Sequence, residues 1–159
     1  MTGIHRFDPA EPLTLGRTII EASAGAGKTF TIAATVARLI AVDGIPLDRI
    51  LVVTFTRAAT AELKGRVRQR LVTTEKALAG ASPASPDDHL RYLLSLPEDQ
   101  RAAARERLEA ALAEFDQAQI FTIHGFAQRL LGQLGFRVRL PDDLVPGEVD
   151  DLITRQAAS

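Results

Sequence analysis

Residues Ala22-Ser23-Ala24-Gly25-Ala26-Gly27-Lys28-Thr29, preceded by the short apolar run Thr18-Ile19-Ile20-Glu21, decide the fold class of this chain. A glycine-rich loop ending in Lys-Thr between a strand and a helix wraps backbone N–H groups around phosphates. Its Lys reaches the β- and γ-phosphates and its Thr hydroxyl ligates Mg²⁺. Gly25 and Gly27 let the backbone turn close to the anion, where a Cβ would obstruct it. The usual consensus opens on Gly, a place held here by Ala22, so the loop belongs to a subtype. A chance Gly-Lys-Thr in a surface turn would lack such flanks: an apolar strand precedes, and Phe30, Ile32, Ala33, Val36, Ala37, Leu39 and Ile40 follow with helical spacing. The expected ligand is a nucleotide with Mg²⁺, held by residues 22–29, with Lys28 and Thr29 as the catalytic pair.

Outward from that loop, the pattern alternates. The helix that starts in the loop is expected to run to about Val42, where Asp43-Gly44-Ile45-Pro46 supplies turn chemistry. Ile50-Leu51-Val52-Val53-Thr54-Phe55 is a continuous apolar and β-branched run, the signature of a strand buried on both faces. A long helix is predicted over about 57–78, then a Gly80–Pro86 linker. A helical insertion is predicted at about 81–117: one helix over Asp87–Leu96, and a second opened by Pro97 at N1 and running through Glu114. The Arg- and Glu-rich run 98–114 reads as a solvated helix. Gln119-Ile120-Phe121-Thr122 is a third strand and His124–Leu134 a helix ended by Gly135, with a further short helix near 148–157. Strands alternating with helices imply an α/β fold with a parallel sheet covered by helices. Its ligands should lie at the carboxyl ends of the strands.

Thr54-Phe55-Thr56 and Thr122-Ile123-His124 fall at two such ends. Taken alone, Thr56 and Thr122 read equally well as helix caps or turn hydrogen bonds, Phe55 as core, and His124 as a structural histidine at a helix start. Arg66 and Arg70, four apart on one helix face, read with Lys64 as either a phosphate-facing edge or a solvated surface.

Composition narrows the class. A net charge of −1 gives no overall electrostatic footprint for nucleic acid, so any such binding must be local. The absence of cysteine excludes disulfide scaffolds and thiolate metal sites. The sequence has no apolar run of about 18 residues and no signal-type leader, so a soluble cytoplasmic protein that makes no membrane contact is expected.

Three segments in order resemble one family. Ile20–Ala33 is similar to the first helicase motif of UvrD-like superfamily 1 DNA helicases, Leu51–Val67 to their motif Ia, and Phe121–Leu131 to motif Ib. The Glu21-Ala22-Ser23-Ala24-Gly25 opening and the Thr122-Ile123-His124-Gly125-Phe126 form resemble the RecB-type subunits of RecBCD helicase–nucleases. The chain departs from the family's usual residues at Ala26, usually Thr, and Ala127, usually Cys; neither change removes a charged group. The resemblance implies a RecA-like P-loop NTPase domain. Its activity would be an ATP-driven 3′–5′ motor on single-stranded and duplex DNA in double-strand-break repair and recombination, with partner subunits of a RecBCD-type complex. It carries DNA contacts onto Thr54, Phe55, Thr56, Thr122 and His124. An apolar strand ending in an acidic pair, which such motors need for Mg²⁺ and the attacking water, is missing. Asp142-Asp143 and Asp150-Asp151 do not end one. No arginine-finger domain or nuclease motif is present either. The chain therefore reads as the N-terminal part of an incomplete motor domain, expected to bind nucleotide weakly and hydrolyse it poorly on its own. A non-catalytic nucleotide- or DNA-binding module and a small P-loop kinase are the alternatives; a kinase would leave the Thr-Phe-Thr and Thr-Ile-His-Gly-Phe motifs unexplained.

Overall fold

The computed structural model describes residues 16, 18–21 and 27–135. Ala22, Ser23, Ala24, Gly25 and Ala26 of the loop, and the short helix expected near 148–157, lie outside them. Two compact units are formed, one ending at Thr122 and the other beginning at Ile123.

In the first unit, α1 (Lys28–Ala41) leads through a 3₁₀ turn at Leu47–Arg49 into β1 (Leu51–Thr54) and then α2 (Arg57–Leu78). Helices α3 (Asp88–Ser95) and α4 (Glu98–Ala113) follow, and a second 3₁₀ turn at Phe115–Gln117 delivers β2 (Gln119–Thr122). The second unit contains α5 (Ile123–Gly135). The two strands pair in parallel, with Leu51 opposite Gln119, Val52 opposite Ile120, Val53 opposite Phe121 and Thr54 opposite Thr122. The fold is thus α/β with a parallel sheet.

Helices α1, α2 and α4 supply most of the core, joined by Leu93 of α3 and Ile120 of β2. Helix α1 presents Ala33, Val36, Ala37, Ile40 and Ala41, mostly small residues that let α2 approach closely. Helix α2 answers with Leu63, Val67 and Leu71, and α4 with Ala104, Leu108 and Ala111. Each of these side chains recurs at three- or four-residue spacing, which places it on one helical face. Helix α2 also packs on both strands. At the far end of α1, Gly44 adopts φ +68°, and the chain returns with Ile45 N–H donating to the Leu39 carbonyl at 2.9 Å. Arg107 of α4 donates from Nη1 to the Ala41 and Val42 carbonyls at 3.0 and 3.2 Å. A cation on the exposed carbonyls of a helix C-terminus is favourable, because the macrodipole is negative there.

Four expectations need correction. Residues 18–21 are exposed and carry no regular structure; the sheet has two strands, and neither pairs with this segment. A strand requires a neighbour for its N–H and C=O groups, so apolar β-branched residues alone do not make one. Strand β1 is not buried on both faces: Val52 is half-buried on the α2 side, whereas Leu51 and Val53 are 43% and 40% exposed. Alternation across the pleat separates the two sets. The run 98–114 is not simply solvated, since Leu108 and Ala104 are fully buried. Pro97 takes the N-cap position rather than N1, with extended ψ 152°.

A buried polar cluster joins α2 to α3. Arg70 is 8% exposed, and its guanidinium donates to both carboxylate oxygens of Asp87, with Nη2 to Oδ1 at 2.8 Å. The same Nη2 donates to Nδ1 of fully buried His89 at 2.8 Å. Asp87 also caps α3 by accepting from the Leu90 N–H at 3.0 Å. The Arg70 hydrogen bond holds the Asp87 carboxyl down at about 2. Burial is the main cause that lowers His89 to about 4, and the facing guanidinium of Arg70 adds to it. Asp87 opposes that shift, and Arg38 from α1 reinforces it. Because the folded state keeps His89 neutral below its ordinary pKa of 6.5, the unfolded chain takes up a proton there as pH falls from 6.5 to about 4. Stability should therefore decline across that window, before the Asp87 contribution is lost between 3.8 and about 2. Chemical denaturation of the wild type and His89→Gln at several pH values checks this; the variant should show a flatter profile between pH 6.5 and 4.

Candidate nucleotide and nucleic-acid site

The N-terminus of α1 is built around Gly27. This residue adopts φ +82°, ψ 23°, a left-handed conformation at the N-cap, and offers no side chain to cap the helix. Its carbonyl accepts from the Thr31 N–H at 2.8 Å. The first turn contains no acidic residue, so the positive end of the helix macrodipole is not neutralised by its own side chains. Lys28 is exposed and Thr29 half-buried. They open onto a cleft of about 680 Å³ between α1 and α2, lined also by Phe30, Glu62, Arg66 and Arg70. Among the described residues, no group of three or more His, Asp or Glu side chains is placed to hold a metal ion. A Mg²⁺ here would have the Thr29 hydroxyl as its nearest sequence-predicted ligand, with the remaining positions left for phosphate oxygens and water.

Arg70 is not solvated as Arg66 is, although both line this cleft. It is turned into the protein against Asp87 and His89, while Arg66 remains exposed beside Glu62 at 3.8 Å. Arg70 shares the stripe Leu63, Val67, Leu71, Thr74 and Ala77, so its burial was marked by its helical position. His89 and Asp87 carried no comparable signal, because their role depends on an arginine far along the chain.

At the carboxyl end of β1, Phe55 is 89% exposed, which excludes it from the core. It is held out by a hydroxyl network on both sides. Thr54 Oγ1 shares a hydrogen bond with Thr60 Oγ1 and donates to the Thr56 carbonyl at 3.2 Å. Thr56 is the N-cap of α2, its hydroxyl accepting from the Ala59 N–H at 3.1 Å. The register sets Thr122 directly across from Thr54, so two of the predicted contact residues meet at the ends of adjacent strands. His124 belongs to the second unit; it is exposed on α5, where its Nε2 lies 3.1 Å from the Gln128 side-chain nitrogen one turn later.

The UvrD/REP helicase N-terminal domain model matches residues 7–156. The chain belongs to that family. It is 45% identical over 134 residues to the protein described as RecBCD enzyme subunit RecB of Mycobacterium tuberculosis (strain H37Rv), covering 83% of this chain and 12% of the relative. Against the RecB subunit of Mycolicibacterium smegmatis the identity is 42% over 157 residues, covering 92% of this chain and 14% of the relative. Against that of Escherichia coli (strain K12) it is 42% over 139 residues, covering 82% and 11%. The chain thus spans little more than a tenth of the length of these relatives. Among the described residues no helix is long and apolar enough to cross a membrane.

The left-handed backbone at Gly27 has a measurable consequence. Among the described residues an added Cβ would meet only the Phe30 Cβ, at an ordinary 3.9 Å, so the cost read from them is conformational. Gly27→Ala should lower stability by about 1–2 kcal/mol, read from the midpoint of a urea transition.

Proposed function

We propose that this chain is the nucleotide-binding part of an ATP-dependent 3′–5′ DNA helicase of the RecB type. The reading places it in a RecA-like P-loop domain that serves double-strand-break repair and recombination in the cytoplasm alongside other subunits of a RecBCD-type complex. The observation that carries it is Gly27-Lys28-Thr29 at the uncapped N-terminus of α1, on a cleft, in a chain of the UvrD/REP family. In this reading residues 22–27 wrap the phosphates of ATP with their N–H groups. The Lys28 ammonium neutralises the β- and γ-oxygens, and the Thr29 hydroxyl ligates Mg²⁺. The metal ion supplies neutralisation of charge that develops on the transferred phosphoryl group. Helices α3 and α4, within about 81–117, are read as an insertion into this domain.

Thr54, Phe55, Thr56, Thr122 and His124 are proposed to contact single-stranded DNA. The exposed ring of Phe55 suits a sequence-tolerant stacking platform, since every base has a π-face. Hydroxyls at the strand ends and an imidazole suit phosphate oxygens, which position the strand without reading its sequence. The α2 cap uses the Thr56 hydroxyl only as an acceptor, which leaves its O–H to donate to a phosphate oxygen. Hydrolysis also needs the acidic strand that the 159 residues do not contain. A second reading, a module that binds nucleotide or DNA without turnover, needs only the α1 N-terminus and the exposed Phe55. Steady-state ATP hydrolysis by the full-length protein, with and without single-stranded DNA, separates the two.

In the full-length protein Lys28→Ala should abolish nucleotide binding or turnover and leave the circular-dichroism melt intact. Unchanged affinity would sink the assignment of the loop. Phe55→Ala should shift stability by no more than about 0.5 kcal/mol, as for other surface positions. It should weaken single-stranded DNA binding about 5- to 150-fold, the equivalent of about 1–3 kcal/mol of stacking, and by similar factors for different base sequences. Fluorescence anisotropy with mixed-sequence and homopolymer strands measures both; binding equal to wild type would reject the platform.

A further inference from the structure

The first turn of α1 carries Lys28 and Thr29; its N-cap is a glycine, and no side chain among the described residues caps it. Against this turn lies Arg70 of α2. The Arg70 guanidinium carbon lies 5.1 Å from the centroid of the Phe30 ring, within the range of a cation–π contact. Phe30 is itself 49% exposed, so the guanidinium and the cleft share its surface.

That guanidinium is not free to turn. Three hydrogen bonds, two to Asp87 and one to His89, define its plane. Asp87 is in turn fixed as the N-cap of α3. A chain of contacts therefore runs from the N-terminus of α3, through Arg70, to the residue directly after Lys28-Thr29. We propose that Arg70 is a positioning residue for the phosphate loop, acting through Phe30 with its plane set by the α3 cap. This rests on the nucleotide-binding reading above. Charge alone does not perform the task. A lysine keeps the positive charge but has neither the fork that engages both Asp87 oxygens nor a flat face for the ring.

The test uses the full-length protein and the affinity for the fluorescent nucleotide N-methylanthraniloyl-ADP in the presence of Mg²⁺. Arg70→Lys and Phe30→Leu should each weaken binding about two- to fivefold, the equivalent of about 0.5–1 kcal/mol. Phe30→Tyr, which keeps the aromatic face, should bind as wild type. The Arg70→Lys/Phe30→Leu double variant should bind no worse than the weaker single variant, because both remove one shared contact. Additive losses, or wild-type affinity in Arg70→Lys with an unchanged melt, would overturn the proposal. Should Arg70→Lys fail to fold, Phe30 decides: Leu and Tyr variants binding alike would overturn it, and a loss confined to Leu would support it. Lys28→Ala is run beside them. Failure of the wild type to bind the nucleotide, or equal binding by Lys28→Ala, strikes the nucleotide reading itself. Losses absent only at Phe30 and Arg70 strike this proposal alone.

Discussion

Parallel pairing of β1 with β2 is the constraint from which the rest of the first unit follows. Two strands running the same way cannot be joined by a tight turn, so the chain must leave the end of β1 and return to the start of β2. Everything between Thr54 and Gln119 is that return path. Its first helix, α2, lies on both strands and presents its other surfaces to α1 and α4. The four-residue register also brings Thr54 and Thr122 side by side at the end where α2 and α5 begin. Chemistry at that edge is thus a by-product of how the strands are aligned.

The helical part of this architecture was readable because its signals are local. The bounds Arg57–Leu78 follow from a threonine cap and a stripe of apolar residues at three- and four-residue steps, and Gln119–Thr122 from its short β-branched and aromatic run. The segment 18–21 shows where such signals stop. Strand composition is a property of the segment, while strand formation is a property of a pair. The same distinction explains Leu51 and Val53. An unbroken apolar run states what the residues would accept on both sides, not what the chain places there.

At the site, the Gly27-Lys28-Thr29 reading needed only spacing, and Gly27 takes a left-handed backbone that glycine adopts readily. The arginines were harder. Arg66 and Arg70 share a helix face, but only Arg70 also falls on the apolar stripe; one is solvated and the other sits in the core with a carboxylate and an imidazole around it. A buried guanidinium is tolerable only when its charge is paired, because removing a charge from water costs several kcal/mol before pairing. Of the Arg70 nitrogens only Nε has no partner among the described residues. The match comes from α3, a distant stretch with no periodic relation to α2. His89 completes it in one protonation state: by accepting from Arg70 at Nδ1 it must carry its own proton on Nε2, which has no acceptor among the described residues.

Gly27 illustrates a restriction of another kind. Among the described residues the nearest neighbour of an added Cβ stands at 3.9 Å, and yet φ is +82°. What that φ restricts is handedness. Of the encoded amino acids only the achiral one occupies that backbone well without strain. A residue of opposite chirality, introduced by chemical synthesis, would hold the same backbone torsions at no such cost. The start of α1 is in this sense a place where mirror symmetry governs which residues the chain accepts.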